Sequence, residues 1–248
     1  MAEPVVNPSP IPHGANRSGG WPTAPLALRH RLGAGTAVLY LIHRLLSRLS
    51  GGRARLLRYH IVAQPIGGRP AARLRPDAKT QLSLTPADSP LVALFPRPAT
   101  VIRRRFASGG QCLSAVVSGE FAGFVWWQHG HYEEDEVRCT FLLDDPQHCV
   151  WDYDVFVAPP FRLGRTMARL WGAVDQELAA QGVTWSMSRI SAFNPESLAA
   201  HARLGTVHCE SATFVVLGQL QCALLQQAPF VHLSWRPQRG PRLLIKAP

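Results

Sequence analysis

Apolar residues follow a helical period near the beginning of the chain and a strand period over much of the rest. One side of the segment Thr36–Leu49 is apolar and consists of Val38, Leu41, Ile42, Leu45, Leu46 and Leu49. The other side is polar and consists of His43, Arg44, Ser47 and Arg48. This spacing predicts an amphipathic helix that Gly51 and Gly52 end. Its apolar run is too short to span a membrane, which takes about 20 residues.

Beyond this helix, apolar runs separated by turn residues predict strands and three further helices. The predicted strands are Leu56–Gln64, Gln81–Thr85, Gln111–Val117, Phe121–Gln128, Asp135–Leu143, Cys149–Val157, Val183–Ile190, Ala212–Leu217 and Leu220–Leu225. The predicted helices are Pro98–Ser108, Thr166–Ala180 and Pro195–Leu204. This order predicts an α+β fold with a mixed, mostly antiparallel central sheet flanked by helices, to which the amphipathic helix is an N-terminal extension.

The composition divides the chain into four parts. Residues 1–25 are rich in Pro, Gly, Ser and Asn and are expected to be disordered, and residues 26–55 contain the basic amphipathic helix. Residues 56–228 carry the strand and helix pattern and are expected to form one globular domain. Residues 229–248 include four prolines, have no clear period and are expected to form a tail.

The chain is basic, with 26 Lys and Arg against 16 Asp and Glu and a formal net charge of +10. This charge favours anionic partners, although arginine also solubilises exposed faces. Two interpretations of the amphipathic helix stay open. It packs on the domain, or it contacts an anionic membrane through residues 29–55. Nucleic acid binding would rest on charge alone and is not expected.

The five cysteines are widely separated and form neither a CxxC pair nor a spacing typical of metal ligands. We therefore expect no metal site and a reduced, cytoplasmic compartment. Met1–Pro25 lacks the basic and apolar regions of a signal peptide. Under the membrane interpretation, the protein would lie at the inner face of a membrane.

The segment Val157–Met167 joins a predicted strand to a predicted helix through a turn that contains Pro159 and Pro160. The first N–H groups of a helix have no partner within the helix, and the positive end of its dipole attracts anions. Arg162 and Arg165 add positive charge there. The junction is therefore a candidate site for a pyrophosphate.

This junction resembles that of the GNAT superfamily of acyl-CoA N-acyltransferases, in which a strand ends in Val-x-Pro and an RxxGxG/A loop holds the CoA pyrophosphate. Val157, Pro159 and Arg162 fall at the corresponding places. Arg165 and Met167 stand where the family has small residues, and Gly164 is displaced by one position. The resemblance implies CoA contacts from Phe156, Val157, Arg162, Leu163, Gly164, Arg165, Thr166, Met167, Asn194 and Ser197.

A second segment resembles the same family more closely. The family spacing of Asn, Ser or Ala, Tyr, a basic residue and Gly is matched by Asn194, Ser197, His201, Arg203 and Gly205. Asn194 is also a good N-cap for the predicted helix. His201 replaces the tyrosine that is thought to protonate the departing CoA thiolate, and an imidazole can carry out the same transfer. A half-buried histidine bonded to a backbone carbonyl is the structural alternative.

The resemblance also implies an acidic base on the central strands, for which Glu136 and Asp152 are the candidates. Strand alternation would place Glu136 with Glu134, and Asp152 with Asp154. Burial would raise the pKa of such a carboxyl group. Arg189 has two interpretations, of which packing within the fold is favoured over binding of an anionic substrate group. The tryptophans and tyrosines near these strands are expected to belong to the core.

The resemblance therefore implies an acyl-CoA-dependent N-acyltransferase, and most simply an N-acetyltransferase that uses acetyl-CoA. The acceptor would be a primary amine of a small molecule or protein, attacking the thioester directly. A non-catalytic GNAT-like protein that binds CoA or a partner is the alternative, because the pyrophosphate loop departs from the family pattern.

Overall fold

The computed structural model describes residues 32–67, 77–236 and 238–248. The expectations for residues 1–25, and for the first part of residues 26–55, lie outside the described residues. The described helices are α1 (Ala34–Leu49), α2 (Ala99–Ala107), α3 (Thr166–Ala180) and α4 (Pro195–Arg203). Two short 3-10 helices, Pro90–Leu94 and Pro159–Phe161, precede α2 and α3.

Twelve strands are described, and they form two sheets. The central sheet has nine strands in the order β11-β10-β9-β1-β8-β7-β4-β3-β2, and the small sheet has the order β12-β6-β5. The strands are β1 (Ala54–Pro65), β2 (Thr80–Leu84), β3 (Gln111–Val117), β4 (Glu120–Gln128), β5 (His131–Glu133), β6 (Thr140–Leu143), β7 (Cys149–Val157), β8 (Trp185–Ser191), β9 (Val207–Leu217), β10 (Leu220–Leu224), β11 (Val231–Ser234) and β12 (Arg242–Ile245).

The central sheet is mostly antiparallel, and among its described strands only β7 and β8 pair in parallel. The predicted α+β class with a mixed sheet is therefore confirmed. The strand β1 lies between β8 and β9 and pairs with both of them. The N-terminal strand is therefore an inner strand of the sheet, although it comes first among the described strands.

Three apolar clusters cover the two faces of the central sheet. The helix α3 packs on one face, where Leu170, Val174 and Leu178 belong to the same apolar cluster as Val150 of β7. On the opposite face, α2 and the preceding 3-10 helix cover β3 and β4 around Trp126. The small sheet covers another part of that same face, around Trp151 of β7. The prediction that the aromatic residues of these strands form the core is confirmed, because Trp126, Trp127 and Trp151 are fully buried.

The helix α1 packs against β1, but with the opposite side from the one its sequence favours. Ser47 Oγ donates to the Ala54 carbonyl oxygen at 3.2 Å, and His43 Nδ1 accepts the Leu56 N–H at 3.3 Å. The Tyr40 ring lies 5.5 Å from that of Phe193 in an edge-on arrangement. The part of the polar side that carries His43 and Ser47 therefore faces the domain, whereas Arg44 and Arg48 are exposed.

Two expectations about strands are wrong. The predicted strand Asp135–Leu143 begins only at Thr140, and its acidic first part is a loop after the short strand β5. Residues 229–248 are not a tail, because they contain β11 and β12. Each of these strands has only four residues, too few to show a period, and β12 gains its hydrogen-bonding partner from β6.

The strand β12 gives a direct test of its place in the core. Leu243 is 1% exposed, whereas its neighbour Leu244 is 41% exposed. We expect Leu243→Ala to lower the free energy of unfolding by about 2–5 kcal/mol, because it leaves a cavity under the small sheet. We expect Leu244→Ala to change it by less than about 1 kcal/mol. Urea unfolding of both variants measures this, and equal losses would contradict the placement of β12.

Candidate functional site

The two parallel strands of the central sheet pair over a short length and then separate. The pairing joins Cys149–Trp151 of β7 to Trp185–Met187 of β8. The strand β7 continues to Val157 and β8 to Ser191, and within these described residues no further pairing joins them. A gap therefore opens between the carboxyl ends of the two strands, in the interior of the sheet.

A β-bulge in β7 lies where the gap begins. Trp127 of β4 pairs with Asp152, but the next residue, Trp126, pairs with Asp154, so that Tyr153 is an extra residue. An extra residue reverses the alternation of side chains beyond it. Asp152 therefore points to the face covered by α3, and Asp154 points to the face covered by α2. The prediction that both aspartates share one face is wrong for this reason.

Asp152 is buried beside two serines of β8. Ser186 Oγ donates to Asp152 Oδ2 at 2.8 Å, and the hydroxyl group of Ser188 lies close to the same carboxyl group. Burial raises the pKa of Asp152 from 3.8 to about 6, while nearby His201 and the two hydroxyl groups act in the opposite direction. The carboxylate can therefore hold or release a proton near neutral pH.

The helix α4 brings His201 close to Asp152. Asn194 Oδ1 accepts the Ser197 N–H at 3.0 Å, which confirms Asn194 as the N-cap, and Gly205 follows the helix with a φ of 70°. His201 Nδ1 lies 2.8 Å from the Ser197 carbonyl oxygen. A carbonyl oxygen can only accept, so Nδ1 carries the proton and Nε2 is the acceptor of the neutral ring. The contact expected of a structural histidine thus also fixes the ring of His201.

The junction between β7 and α3 has the features that an anionic phosphate group requires. Arg162 Nε donates to the Val157 carbonyl oxygen at 3.0 Å. Arg165 is the N-cap of α3 without a capping side-chain bond, and the first turn has no acidic residue. The first N–H groups of α3 are then available to a ligand. Gly164 is exposed, Leu163 is fully exposed, and Met167 is 41% exposed.

The remaining predicted cofactor residues have mixed environments. Thr166 is buried, and the Phe156 ring packs 5.6 Å from the Phe124 ring on the α2 side of β7. Only the backbone of Phe156 and Val157 can therefore face the gap along the edge of β7. Because the first turn of α3, Arg162 and Arg165 supply donors and positive charge, these residues fit a pyrophosphate group.

Glu136, the other candidate base, is not brought to Asp152. It lies in the loop between β5 and β6, where its carboxylate accepts the Tyr59 hydroxyl proton at 2.7 Å and lies 3.2 Å from Arg189 Nη2. Arg189 also forms two bonds to Glu134, at 2.8 and 2.6 Å. Tyr59 belongs to the cluster under the small sheet, on the face opposite to Asp152. Arg189 is therefore engaged by glutamates, which agrees with the favoured packing interpretation of this residue.

Asp154 is held by two arginines, an arrangement that sequence reasoning missed. Arg97 donates to both carboxylate oxygens, at 2.9 and 2.7 Å, and Arg105 Nη1 donates to Oδ2 at 2.6 Å. The Arg105 side chain is 5% exposed and that of Asp154 is 2% exposed. The only sequence signal was that Arg105 falls on the apolar side of α2. The ion pairs fix the strand just beyond the bulge.

Asp152 differs from the other buried acids of the described residues. Glu134 and Asp154 are both paired with arginine, whereas Asp152 faces two serine hydroxyls and His201. No group of three His, Cys, Asp or Glu side chains that could hold a metal ion is found within the described ranges. Among the helices described, none is long and apolar enough to cross a membrane.

Comparison with family models and with curated proteins gave no match. Among solved structures, the chain is similar to a functionally unknown conserved protein from Staphylococcus epidermidis, with 11% identity and a TM-score of 0.46 over 71% of this chain and 67% of that one. It is similar to a protein described as a GNAT-family acetyltransferase from Novosphingobium aromaticivorans, with 19% identity and a TM-score of 0.42 over 66% of each chain.

A third similar structure is an aminoglycoside N-acetyltransferase in complex with CoA, with 19% identity and a TM-score of 0.40 over 53% of this chain and 91% of that one. GNAT acetyltransferases are thus among the solved structures that resemble this mixed α+β fold. With identities below 20% and TM-scores below 0.5, these similarities assign no activity or substrate.

The ion pairs around Asp154 can be tested by unfolding. Asp154→Asn removes the negative charge between two buried arginines, and we expect it to lower the free energy of unfolding by about 3–5 kcal/mol. The control Asp144→Asn changes an exposed carboxylate and should cost less than about 0.5 kcal/mol. Urea titration at neutral pH measures both values. A cost below about 1 kcal/mol for Asp154→Asn would contradict a structural role for the pairs.

Proposed function

We propose that this chain is an acyl-CoA-dependent N-acyltransferase that transfers an acyl group, most simply acetyl, to a primary amine. The observation that supports this most strongly is that half-buried His201 lies near buried Asp152 at the point where β7 and β8 separate. One member of the pair has a pKa shifted toward neutrality, and it lacks the arginine partner that the other buried acids have. Such pairs are typical of acid–base sites.

The cofactor would bind along the gap between the two strands. Its pyrophosphate would contact the first N–H groups of α3, together with Arg162 and Arg165. Bound there, acyl-CoA supplies a thioester whose carbonyl carbon is the site of attack by the amine. A backbone N–H of Phe156 or Val157 would donate to the thioester oxygen, since this part of β7 has no ladder partner on the β8 side.

The proton transfers then follow from the pair of side chains. The ionised carboxylate of Asp152 takes one proton from the amine, directly or through a water molecule, as the C–N bond forms. Protonated His201 gives one proton to the departing thiolate as the C–S bond breaks. A proton returned from Asp152 to His201 restores both groups, so the products are an amide and a free thiol. Ser186 and Ser188 stabilise the ionised form of Asp152.

Asp152 is the better of the two candidate bases. Glu136 is bound to Tyr59 and Arg189 on the other face of the sheet, where it does not reach the gap between β7 and β8. Ser197 has a positioning role in this scheme, because its carbonyl oxygen accepts a hydrogen bond from His201 Nδ1. Its N–H is bonded to Asn194, which fixes the first turn of α4.

Two measurements on the full chain test the proposal. Isothermal titration calorimetry with CoA reports binding, and release of free thiol from acetyl-CoA reports transfer to a panel of amines that includes amino sugars, amino acids, polyamines and peptides. We expect both signals. Binding without transfer to any amine would favour the non-catalytic alternative. No binding at about 1 mM CoA would contradict both, because that is the upper end of ordinary enzyme affinities.

The pH dependence of transfer tests the role of Asp152. A base must be ionised, so the acidic side of the kcat/KM profile should rise with pH through about 6, the pKa of Asp152. We expect Asp152→Asn to lower kcat/KM by about 10²–10⁴-fold and to remove this rise. Steady-state rates from pH 5 to 8 measure both effects, with Asp88→Asn, an exposed carboxylate, as the control.

Loss of activity in Asp152→Asn should not come from unfolding. Because the pKa of this group is raised on folding, its contribution to stability is largest below pH 3.8 and declines as pH rises through about 6. The free energy of unfolding of Asp152→Asn, relative to that of the parent protein, should therefore be higher at pH 8 than at pH 5. An unchanged pH profile of kcat/KM would contradict the assignment of the base.

Substitution of Gly164 tests cofactor binding at the start of α3. A Cβ at Gly164 would lie 3.4 Å from the Phe161 carbonyl oxygen, an ordinary contact, and the residue does not have a positive φ. We expect Gly164→Ala to leave stability unchanged within about 1 kcal/mol and to raise the Kd for CoA about tenfold, because the backbone must approach the pyrophosphate. Calorimetry measures this.

The matched control is Gly172→Ala, in the middle of α3, where a Cβ meets nothing within 4 Å. Alanine there should stabilise the helix by about 1 kcal/mol and leave the Kd for CoA unchanged. Equal CoA affinity in both variants would place the pyrophosphate elsewhere.

A further inference from the structure

The helix α1 exposes its apolar side although it is docked on the domain. Its exposed leucines include Leu45 at 58% and Leu49 at 78%. The full exposed apolar set is Val38, Leu41, Ile42, Leu45 and Leu49. At 100° per residue these positions fall within one arc of about 100°, directly opposite the side that contacts β1. The helix thus presents a continuous apolar stripe, hereafter the α1 stripe.

The apolar surface extends beyond the end of α1. The Gly218 N–H, in the turn between β9 and β10, donates to the Arg53 carbonyl oxygen at 2.9 Å, so that turn lies beside the segment that follows α1. Leu217 and Leu220, on either side of the turn, are 47% and 39% exposed. Large apolar side chains are therefore exposed both on the helix and next to its carboxyl end, a distribution found at interaction surfaces.

The charged side chains on α1 and just after it are arginines. Arg44 and Arg48 are exposed and lie on one flank of the stripe, and Arg53 is exposed just after the helix. The sequence contains no Asp or Glu between Pro4 and Pro76. An exposed apolar stripe beside arginines and without acidic residues is the pattern of a helix that lies in the interface of an anionic membrane.

We infer that α1 binds the surface of an anionic phospholipid bilayer, with the α1 stripe inserted among the lipids and its arginines at the head groups. The docked side holds the helix in place through His43 and Ser47, so the stripe is presented on a folded surface. A second copy of the chain would fit less well, since the same surface on both copies would bring arginines of like charge together. This inference does not depend on the proposed enzymatic activity.

Vesicle sedimentation tests the inference with the full chain. The vesicles contain phosphatidylcholine with about one third phosphatidylserine, a strongly anionic composition. We expect the protein to sediment with these vesicles, and to do so far less with pure phosphatidylcholine or at high salt. Leu45→Gln with Leu49→Gln should lower the partition coefficient between vesicles and solution about tenfold, because two inserted apolar side chains are lost.

The matched control is Leu84→Gln with Leu94→Gln, which changes two leucines of similar exposure elsewhere, at 46% and 56%. This variant should bind vesicles like the parent protein. Arg44→Gln with Arg48→Gln should also weaken binding about tenfold. Arg239→Gln with Arg242→Gln, an equal change in net charge at exposed positions, should not. Circular dichroism checks that each variant stays folded.

Several outcomes would overturn the inference. One is vesicle binding that is unaffected by the leucine variant, and another is equal loss in both arginine variants, which would indicate net charge without a defined surface. A third is found by analytical ultracentrifugation. If the α1 stripe drives a dimer that Leu45→Gln with Leu49→Gln dissociates, and vesicles are not bound, the surface is an interface between two copies.

Discussion

The separation of β7 from β8 is the constraint on which the rest of the site depends. One extra residue, Tyr153, shifts the pairing of β7 with β4 and turns the following side chains over. Asp154 then meets Arg97 and Arg105 on the α2 face, and these ion pairs hold the strand after the bulge. Asp152 stays on the α3 face, and the edge of β7 toward β8 is left without a ladder partner.

Electrostatics then separates Asp152 from the other buried acids. In the buried surroundings of the sheet, an ionised carboxylate is stable when it is paired, as Glu134 and Asp154 are with arginine. Asp152 has only hydroxyl groups and a histidine, so burial raises its pKa. The helix α4 supplies that histidine in a fixed orientation, because the Ser197 carbonyl oxygen accepts a hydrogen bond from its Nδ1. The proposed chemistry follows from this difference in partners.

Several features of the fold were already determined by local sequence. The strand Cys149–Val157 and the helix Thr166–Ala180 have the predicted bounds, because long apolar periods and flanking turn residues act locally. Asn194 caps the beginning of α4 and Gly205 follows its end, as predicted, since capping involves only neighbouring residues. Asp152 and His201 were also named from the sequence, through residue type and motif spacing, and the structure brings these two together.

Only the tertiary structure decided what these residues face. Strand alternation put Asp152 and Asp154 on one face, but the bulge depends on pairing with β4, which is distant in sequence. Glu136 was grouped with a strand, but its loop is fixed by Tyr59 and Arg189. Sequence period defined the two sides of α1 without determining which side packs on β1. A periodic pattern records which residues share a side, whereas the neighbour of each side is set by contacts between distant segments.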